Sequence, residues 1–518
     1  VSGFQTYGIN GMKMKNKLID YWRKIMVKGN VHEIETPTLT PHSVLKASGH
    51  VDRFTDYVIE TDDKTIRADH FVKDYMKSKN YDSSIVDSWT ADQLENYVNK
   101  NKLFEKEIKV TTKNLMHQTV DGNYLRPEIA QSIFTDFRQF YDYFDQKLPF
   151  GISQTGKSYR KEISPEQFTR MREFVQMETE YFFDPRDTSH SNYNNIKHLH
   201  VPLLTQNLQL NVLPPVADIS LQFAVDNKLI CNEIMAYFIG SIYLYAKTIG
   251  IDMNKIRFRQ HLSTEMAHYA IECWDLECFV NDSWLECVGC AYRGDYDLIA
   301  HNNSDCNRVK TSEFTMIKVL RPDIKKIKKS FTDVTLLSAV SRLTEDDHTK
   351  LLNNETIDVN GHKLDLDYFI VLEEKKWYTY IPHVIEPSFG LERILYVLLA
   401  HNFKIRKNST RSVLTLPSNM APYDVAIFAL SNKDSLTPFV SSLENELSRN
   451  GLRCLVDNSS VGIGKKYVRS DELGIYNAIT IDFDTINDNS VTIRKRDSME
   501  QVRINIDNLK ENINKYIN

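Results

Sequence analysis

Two arginine-bearing segments, far apart in the chain, hold the side chains best suited to phosphate chemistry. The first reads Ser158-Tyr159-Arg160-Lys161-Glu162 and resumes at Arg170-Met171-Arg172-Glu173-Phe174. The second reads Ile385-Glu386-Pro387-Ser388-Phe389-Gly390-Leu391-Glu392-Arg393 and runs straight into an apolar helical stretch. A guanidinium is planar, always charged and able to grip phosphate oxygens at two points. Arginines beside a carboxylate, Glu162, and an aromatic ring, Phe174, have the means to hold a nucleotide by both phosphates and base. Taken one by one, such arginines read equally as exposed ion pairs, which are common and contribute little. The wording of the two segments decides between these readings.

That wording resembles motif 2 and motif 3 of class II aminoacyl-tRNA synthetases, the ATP-binding core of that family. Other segments narrow the resemblance to the homodimeric, eukaryotic and archaeal type of glycyl-tRNA synthetase, of subclass IIa. They are Ser48-Gly49-His50-Val51-Asp52, Tyr124-Leu125-Arg126-Pro127-Glu128 with Gln131, and Met177-Glu178-Thr179-Glu180-Tyr181-Phe182. Arg257-Phe258-Arg259-Gln260-His261, Met266-Ala267-His268-Tyr269-Ala270 and Glu286-Cys287-Val288-Gly289-Cys290-Ala291 complete the set. The resemblance spans residues 1 to 518.

The resemblance implies a division of labour. Arg160 meets the α-phosphate and the reacting carboxylate, and Arg393 holds the γ-phosphate of a bent ATP; both are the catalytic candidates. Arg170 or Arg172 grips the same tail from the other side, Glu162 accepts from the adenine amino group and Phe174 stacks on the purine. Lys161, Met171 and Cys287 complete the ATP-binding set. Glu286 is the candidate ligand for Mg2+, a hard cation that takes carboxylate oxygens. Glu128, Glu178, Glu386, Pro387 and Ser388 match the glycine-binding positions. Crowded acids would repel and resist ionisation, a conflict that a cationic ligand removes. Two departures stand out: the loop Ile163 to Thr169 is short, and Tyr292 precedes Arg293, a residue whose implied role is to orient the substrate carboxylate.

The elements that would position these residues are legible in outline. Leu18, Ile19, Trp22, Ile25 and Met26 recur at helical spacing within residues 11 to 28, ahead of a Gly29-Asn30 stop. In the resembled family this helix and the following strand form motif 1, which builds the homodimer interface. Residues 150 to 154, 175 to 183 and 284 to 288 read as strands, the second placing Glu178 and Glu180 on one face. Leu391 to Leu399 reads as a buried helix. The fold class expected is α+β: a class II catalytic domain, an antiparallel sheet flanked by helices, then an α/β anticodon-binding domain. The catalytic domain would comprise residues 1–62, 119–303 and 379–404, with insertions at 63–118 and 304–378. A linker at 405–413 would lead to the anticodon-binding domain at 414–518, whose last helix would run from Met499 to Ile517.

Bulk properties bound the function. A chain of 518 residues accommodates two or three domains. Its net charge of −5 argues against a general polyanion binder, so no DNA partner is expected, while local basic runs such as Lys325 to Lys329 leave RNA open. No run of about eighteen apolar residues exists, so no membrane helix is expected. The start resembles neither a secretory nor a transit segment, and seven irregularly spaced cysteines fit a reducing, cytoplasmic setting. Cys287-Val288-Gly289-Cys290 is a lone CxxC, so no structural zinc is expected. The partners expected are ATP, glycine and tRNA(Gly). The alternative is a catalytically silent, synthetase-like RNA-binding protein, which would have lost a phosphate-gripping arginine; Arg160, Arg172 and Arg393 are all present.

Overall fold

The strand Glu173–Phe183 is buried along almost its whole length, on both faces, and the largest sheet is built around it. The structure, a computed structural model, describes residues 2–61, 64–79, 81, 86, 89–267, 269–301, 307–407, 409–431 and 434–511. The sheet has nine strands: β1 (Val31–Ile34), β2 (Phe150–Tyr159), β3 (Glu173–Phe183), β4 (His200–Leu204), β5 (Val216–Ser220), β6 (Ile256–Gln260), β7 (Glu272–Val280), β8 (Ser283–Gly294) and β9 (His383–Gly390). Their spatial order is β1-β2-β3-β9-β8-β7-β6-β4-β5. Neighbours are antiparallel except β1 with β2 and β4 with β6.

One face of this sheet is covered by α1 (Ile9–Met26), α2 (Glu233–Ile249) and α3 (Leu391–Asn402). Helix α2 is apolar nearly all round, as a buried helix must be. The Asn232 side chain caps its start by accepting from Met235 N at 2.8 Å, and Gly250, at φ +91°, ends it in a conformation open to glycine. From α1, Trp22 is fully buried and meets the Phe389 ring edge-on at 6.4 Å. Tyr245 of α2 meets the same ring at 5.3 Å. Because side chains alternate along a strand, Phe389 in this core forces Ser388 and Glu386 onto the other face of β9.

The region expected as the first insertion has a core that its sparse apolar residues conceal in sequence. Strands Thr55–Glu60, Thr65–Arg67 and Val110–Asn114 pair as one small sheet. Helices Ala68–Ser78 and Ala91–Lys100 cover it with Val72, Met76, Leu94 and Val98, spaced four apart on their helices. The unpatterned stretch at Lys77 to Asp82 includes Asn80 and Asp82, which lie outside the described residues.

Residues 305–381 form a separate compact unit. Its two-stranded antiparallel ribbon pairs Val309–Pro322 with Phe369–Tyr380. Leu320, Ile327, Leu336, Leu351 and Leu364 make its own core.

The C-terminal domain contains β10 (Val425–Ala429), α4 (Thr437–Arg449), β11 (Cys454–Asp457), α5 (Ile463–Glu472), β12 (Asn477–Ile481), β13 (Ser490–Lys495) and β14 (Gln501–Asn505). The order is β11-β10-β12-β13-β14, parallel around β10 and antiparallel beyond β12. Strand β14 corrects the sequence reading, which runs a helix from Met499. Gln501 to Asn505 alternate polar and apolar residues, Ile504 is buried, and Arg503 bonds Asp482 and Asp488. The helix starts only at Ile506, and residues beyond 511 lie outside the described set. The expected linker is also more ordered than its composition suggests: Phe403–Ile405 pairs with Ser412–Leu414, and Arg406 bonds Asp471 at 2.8 Å. Lys17 of α1 donates to Ala421 O at 2.6 Å and to Asp424 at 3.2 Å, fastening α1 to the start of this domain.

Among the described residues no helix is long and apolar enough to cross a membrane. Truncating Trp22→Ala removes the ring that backs β9 and is expected to cost about 3–5 kcal/mol. Urea denaturation followed by tryptophan fluorescence and circular dichroism measures this, and a midpoint equal to that of the parent chain would contradict the packing role.

Candidate active site

The face of the sheet opposite the helices opens into a cleft of about 300 Å³. Arg160, just past the end of β2, donates from Nε to Pro127 O at 3.2 Å. Its guanidinium lies 5.2 Å from the ring centre of Phe174, on β3, and 5.3 Å from that of Phe54. Arg393, in the first turn of α3, donates from Nε to Thr169 O and from Nη1 to Glu286 O, both at 2.9 Å. Its Nη1 also lies 3.4 Å from the Glu286 carboxylate. Arg170 reaches His70 Nδ1 at 3.2 Å from the loop between β2 and β3. Three arginines therefore converge on one cleft, with an aromatic ring beside them. Glu162 Oε2 is buried there without a hydrogen-bond partner among the described residues, an acceptor in want of a donor.

The inner end of the cleft is acidic. Register pairs Ser388 of β9 with Glu178 of β3, and the Ser388 hydroxyl donates to Glu178 Oε1 at 2.5 Å. Gln176, two residues earlier and so on the same face, donates to that oxygen at 2.6 Å. Glu178 Oε2 and both oxygens of Glu180 are buried with no partner among the described residues. Glu386 accepts from Arg293 Nη1 at 2.5 Å. Glu128 accepts from Gln131 at 2.8 Å and pairs with His50 at 3.2 Å.

Burial, then repulsion from Glu386 and Glu128, pushes the Glu178 carboxyl up to about 8. Burial likewise raises Glu386 to about 7, with Arg293 opposing and Glu128 adding. Glu180 lies well above the ordinary carboxylate range, through burial and the nearness of Glu386. Glu128 goes the other way: burial is outweighed by His50, Arg293 and Gln131, and the group sits below that range.

Of the residues expected from sequence, Arg160, Glu162, Arg170, Met171, Phe174, Glu286, Cys287 and Arg393 line the cleft, as do Glu128, Glu178, Glu386 and Ser388. Lys161, Arg172 and Pro387 do not. Lys161 is exposed. Arg172 turns outward to brace the site, donating from Nε to Glu162 O at 3.0 Å while its backbone N–H bonds Gly3 O. Pro387 sits between Glu386 and Ser388, so alternation turns it to the other face of β9. Arg293 is wholly buried and its fork is spoken for, bonding Asp297 at 2.7 and 2.9 Å and Glu386, with Tyr269 stacked beneath it at 3.9 Å. These bonds hold its guanidinium against Glu386 and Asp297. His268 lies outside the described residues. Sequence reasoning missed Gln176 and gave Glu180 no role, although period-two alternation from Glu178 marks both.

Comparison with known proteins identifies the family. A family model described as an anticodon binding domain matches residues 424–516, the region of β10 to β14. The chain is 37% identical to glycine–tRNA ligase of Methanocaldococcus jannaschii, over 98% of this chain and 93% of that relative. The chain belongs to the glycine–tRNA ligase family. Another member, glycine–tRNA ligase 2 of Saccharomyces cerevisiae, is 35% identical over 100% of this chain and 92% of its own length. A prolyl-tRNA synthetase of Cryptosporidium parvum, solved with L-proline and AMP, is similar with a TM-score of 0.50 and 13% identity, covering 100% of this chain and 71% of that one. At that identity the likeness shows the class II fold alone. For the glycine–tRNA ligase family, then, both the arginine cleft and the acidic end lie within the matched length.

The acids make stability depend on pH. Glu178 and Glu386 bind protons more tightly folded than unfolded, so their contribution is complete in acid and is lost as pH rises through about 7 and 8. Thermal unfolding of the ligand-free protein is expected to show a midpoint that falls from about pH 4.5 to about pH 8 and levels off above, with Glu178→Gln making that fall shallower and ending it near pH 7. Parallel profiles for the two proteins would contradict the assignment.

Proposed function

We propose that the chain activates glycine with ATP to glycyl-adenylate, releasing pyrophosphate, and then transfers glycine to the 3′ end of tRNA(Gly). The observation that carries this reading is the acidic end of the arginine cleft. Glu178 offers a buried oxygen there with no partner among the described residues, flanked by Glu386 and Glu128. A primary ammonium supplies the missing donors and charge, and the surrounding carboxylates are a wall against any side chain. Such a wall matters because an apolar pocket rejects one extra methyl group by only about 1–3 kcal/mol.

With the ammonium held there, the substrate carboxylate points toward Arg160. One carboxylate oxygen attacks the α-phosphorus, the bond to the bridging oxygen breaks, and pyrophosphate leaves. Arg160 meets the charge that grows on the α-phosphate, and Arg170 and Arg393 hold the departing phosphates. Phe174 stacks on adenine while Glu162 Oε2 accepts from its amino group. Glu286, exposed at the cleft beside Arg393, has the hard oxygen donors that Mg2+ takes, and a bound ion would neutralise phosphate charge. In the second step a ribose hydroxyl of the tRNA terminus attacks the glycyl carbonyl and AMP departs.

The C-terminal domain would read the anticodon through splayed, stacked bases. Homodimerisation would use the region of α1 and β1, where β1 is an edge strand and Ile9 and Met12 are exposed. A cytoplasmic setting fits the six free cysteines among the described residues.

Glycine-dependent exchange of pyrophosphate into ATP tests the reading, with alanine, serine, threonine and proline as controls. Exchange with glycine alone is expected. Arg160→Ala should lower its kcat by about 100- to 1000-fold, and Glu178→Gln should raise the glycine KM by about tenfold or more. Exchange with another amino acid would overturn the acid assignment, and none with any would favour a silent RNA-binding protein.

A further inference from the structure

One wall of the cleft gathers three side chains that the proposed reaction leaves unused. His261 follows directly on β6, and its backbone N–H bonds Cys273 O across to β7 at 2.9 Å. Cys273 and Asp275 stand two residues apart on β7, which puts their side chains on one face. All three line the cleft. An imidazole nitrogen, the Cys273 sulfur and an Asp275 carboxylate oxygen lie within 4.8 Å of one another. His261 Nε2 is 2.7 Å from Asp275 Oδ2, while Nδ1 is buried without a partner among the described residues. Asp275 Oδ2 also takes Arg259 Nη2 at 3.3 Å, and Gly289 presents no side chain between Asp275 and the cleft.

We propose that His261, Cys273 and Asp275 form a binding site for a borderline-soft divalent cation of the zinc type. One imidazole nitrogen, one thiolate and one carboxylate oxygen are the donor set that Zn2+ and Co2+ prefer, whereas Mg2+ takes oxygen alone. Three protein ligands on a cleft wall leave a further coordination position turned to the cleft, the pattern of an open site rather than a closed structural one. Binding replaces the Cys273 proton by metal, so one proton is released to solvent from that thiol. The donor set does not include Cys287, Cys290 or Glu286; Glu286 lies close enough to act electrostatically on Asp275.

The test uses the full chain, stripped of metal, titrated with Co2+ in the presence of excess Mg2+. One Co2+ per chain is expected, with a thiolate-to-cobalt charge-transfer absorption in the near ultraviolet that Zn2+ displaces. Cys273→Ser should abolish that band, and Cys454→Ser, in the C-terminal domain, should leave it intact. His261→Gln should weaken Co2+ binding by at least about tenfold. It decides the matter if circular dichroism shows that Cys273→Ser does not fold. No band, a band that survives Cys273→Ser, or unchanged affinity in His261→Gln overturns the proposal. Since the readout is metal bound and not product made, the outcome is independent of whether glycine is the substrate.

Discussion

The charge balance beneath the cleft is the constraint on which the structure turns. Glu178, Glu180 and Glu386 sit side by side with almost no access to water, and one guanidinium, Arg293, stands against them. That arginine is itself divided between Glu386 and Asp297, so the cluster keeps an excess of acid. Burying such groups is costly unless each is paired or holds a proton. Much of this cost falls where β3, β9 and β8 lie adjacent in the sheet. A cation entering the cleft finds the unfinished part of an otherwise complete network.

Everything around the acids serves to keep them from relaxing away. Phe389 holds β9 in register from below, between Trp22 and Tyr245. Gln176 and Ser388 fix one oxygen of Glu178 and leave the other bare. Arg172 ties the backbone of Glu162 and the N-terminal segment together at the mouth. The phosphate-facing arginines are treated differently: Arg160 is tied to a backbone carbonyl, which orients the guanidinium without cancelling its charge, and Arg393 is tied to two, with the Glu286 carboxylate also 3.4 Å away. The two ends of the cleft are thus preorganised by different means: one oxygen of Glu178 is left bare among the described residues at the acidic end, and backbone carbonyls aim the arginines at the other.

Much of this was legible in the chain. The arginine segments and the alternating run Val175 to Phe183 locate both the sheet and its functional face, because period-two patterning survives in a strand buried on both sides. The same rule, applied at Pro387, places it on the far face, and applied at Gln176 adds a residue to the site; a motif read as a block of letters obscures such alternation. Arg172 was not legible, since either of two arginines in Arg170-Met171-Arg172 fits the wording and only the fold of the loop chooses. Strand β14 was hidden by its edge position, where half the residues face water. The core of the first insertion was hidden by its small size, with a few apolar residues four apart among many lysines and aspartates.

Helix α1 touches two distant parts of the molecule within little more than one turn. Lys17 is bonded to the first residues of the C-terminal domain, and Trp22, five positions on, presses against the ring under the acidic strand. At about 1.5 Å per residue those anchor points are roughly 7.5 Å apart along a stiff rod. A shift of the C-terminal domain that preserves the Lys17 bonds therefore drags the floor of the cleft with it. The helix couples the two in series, like a tie-bar bolted at both points.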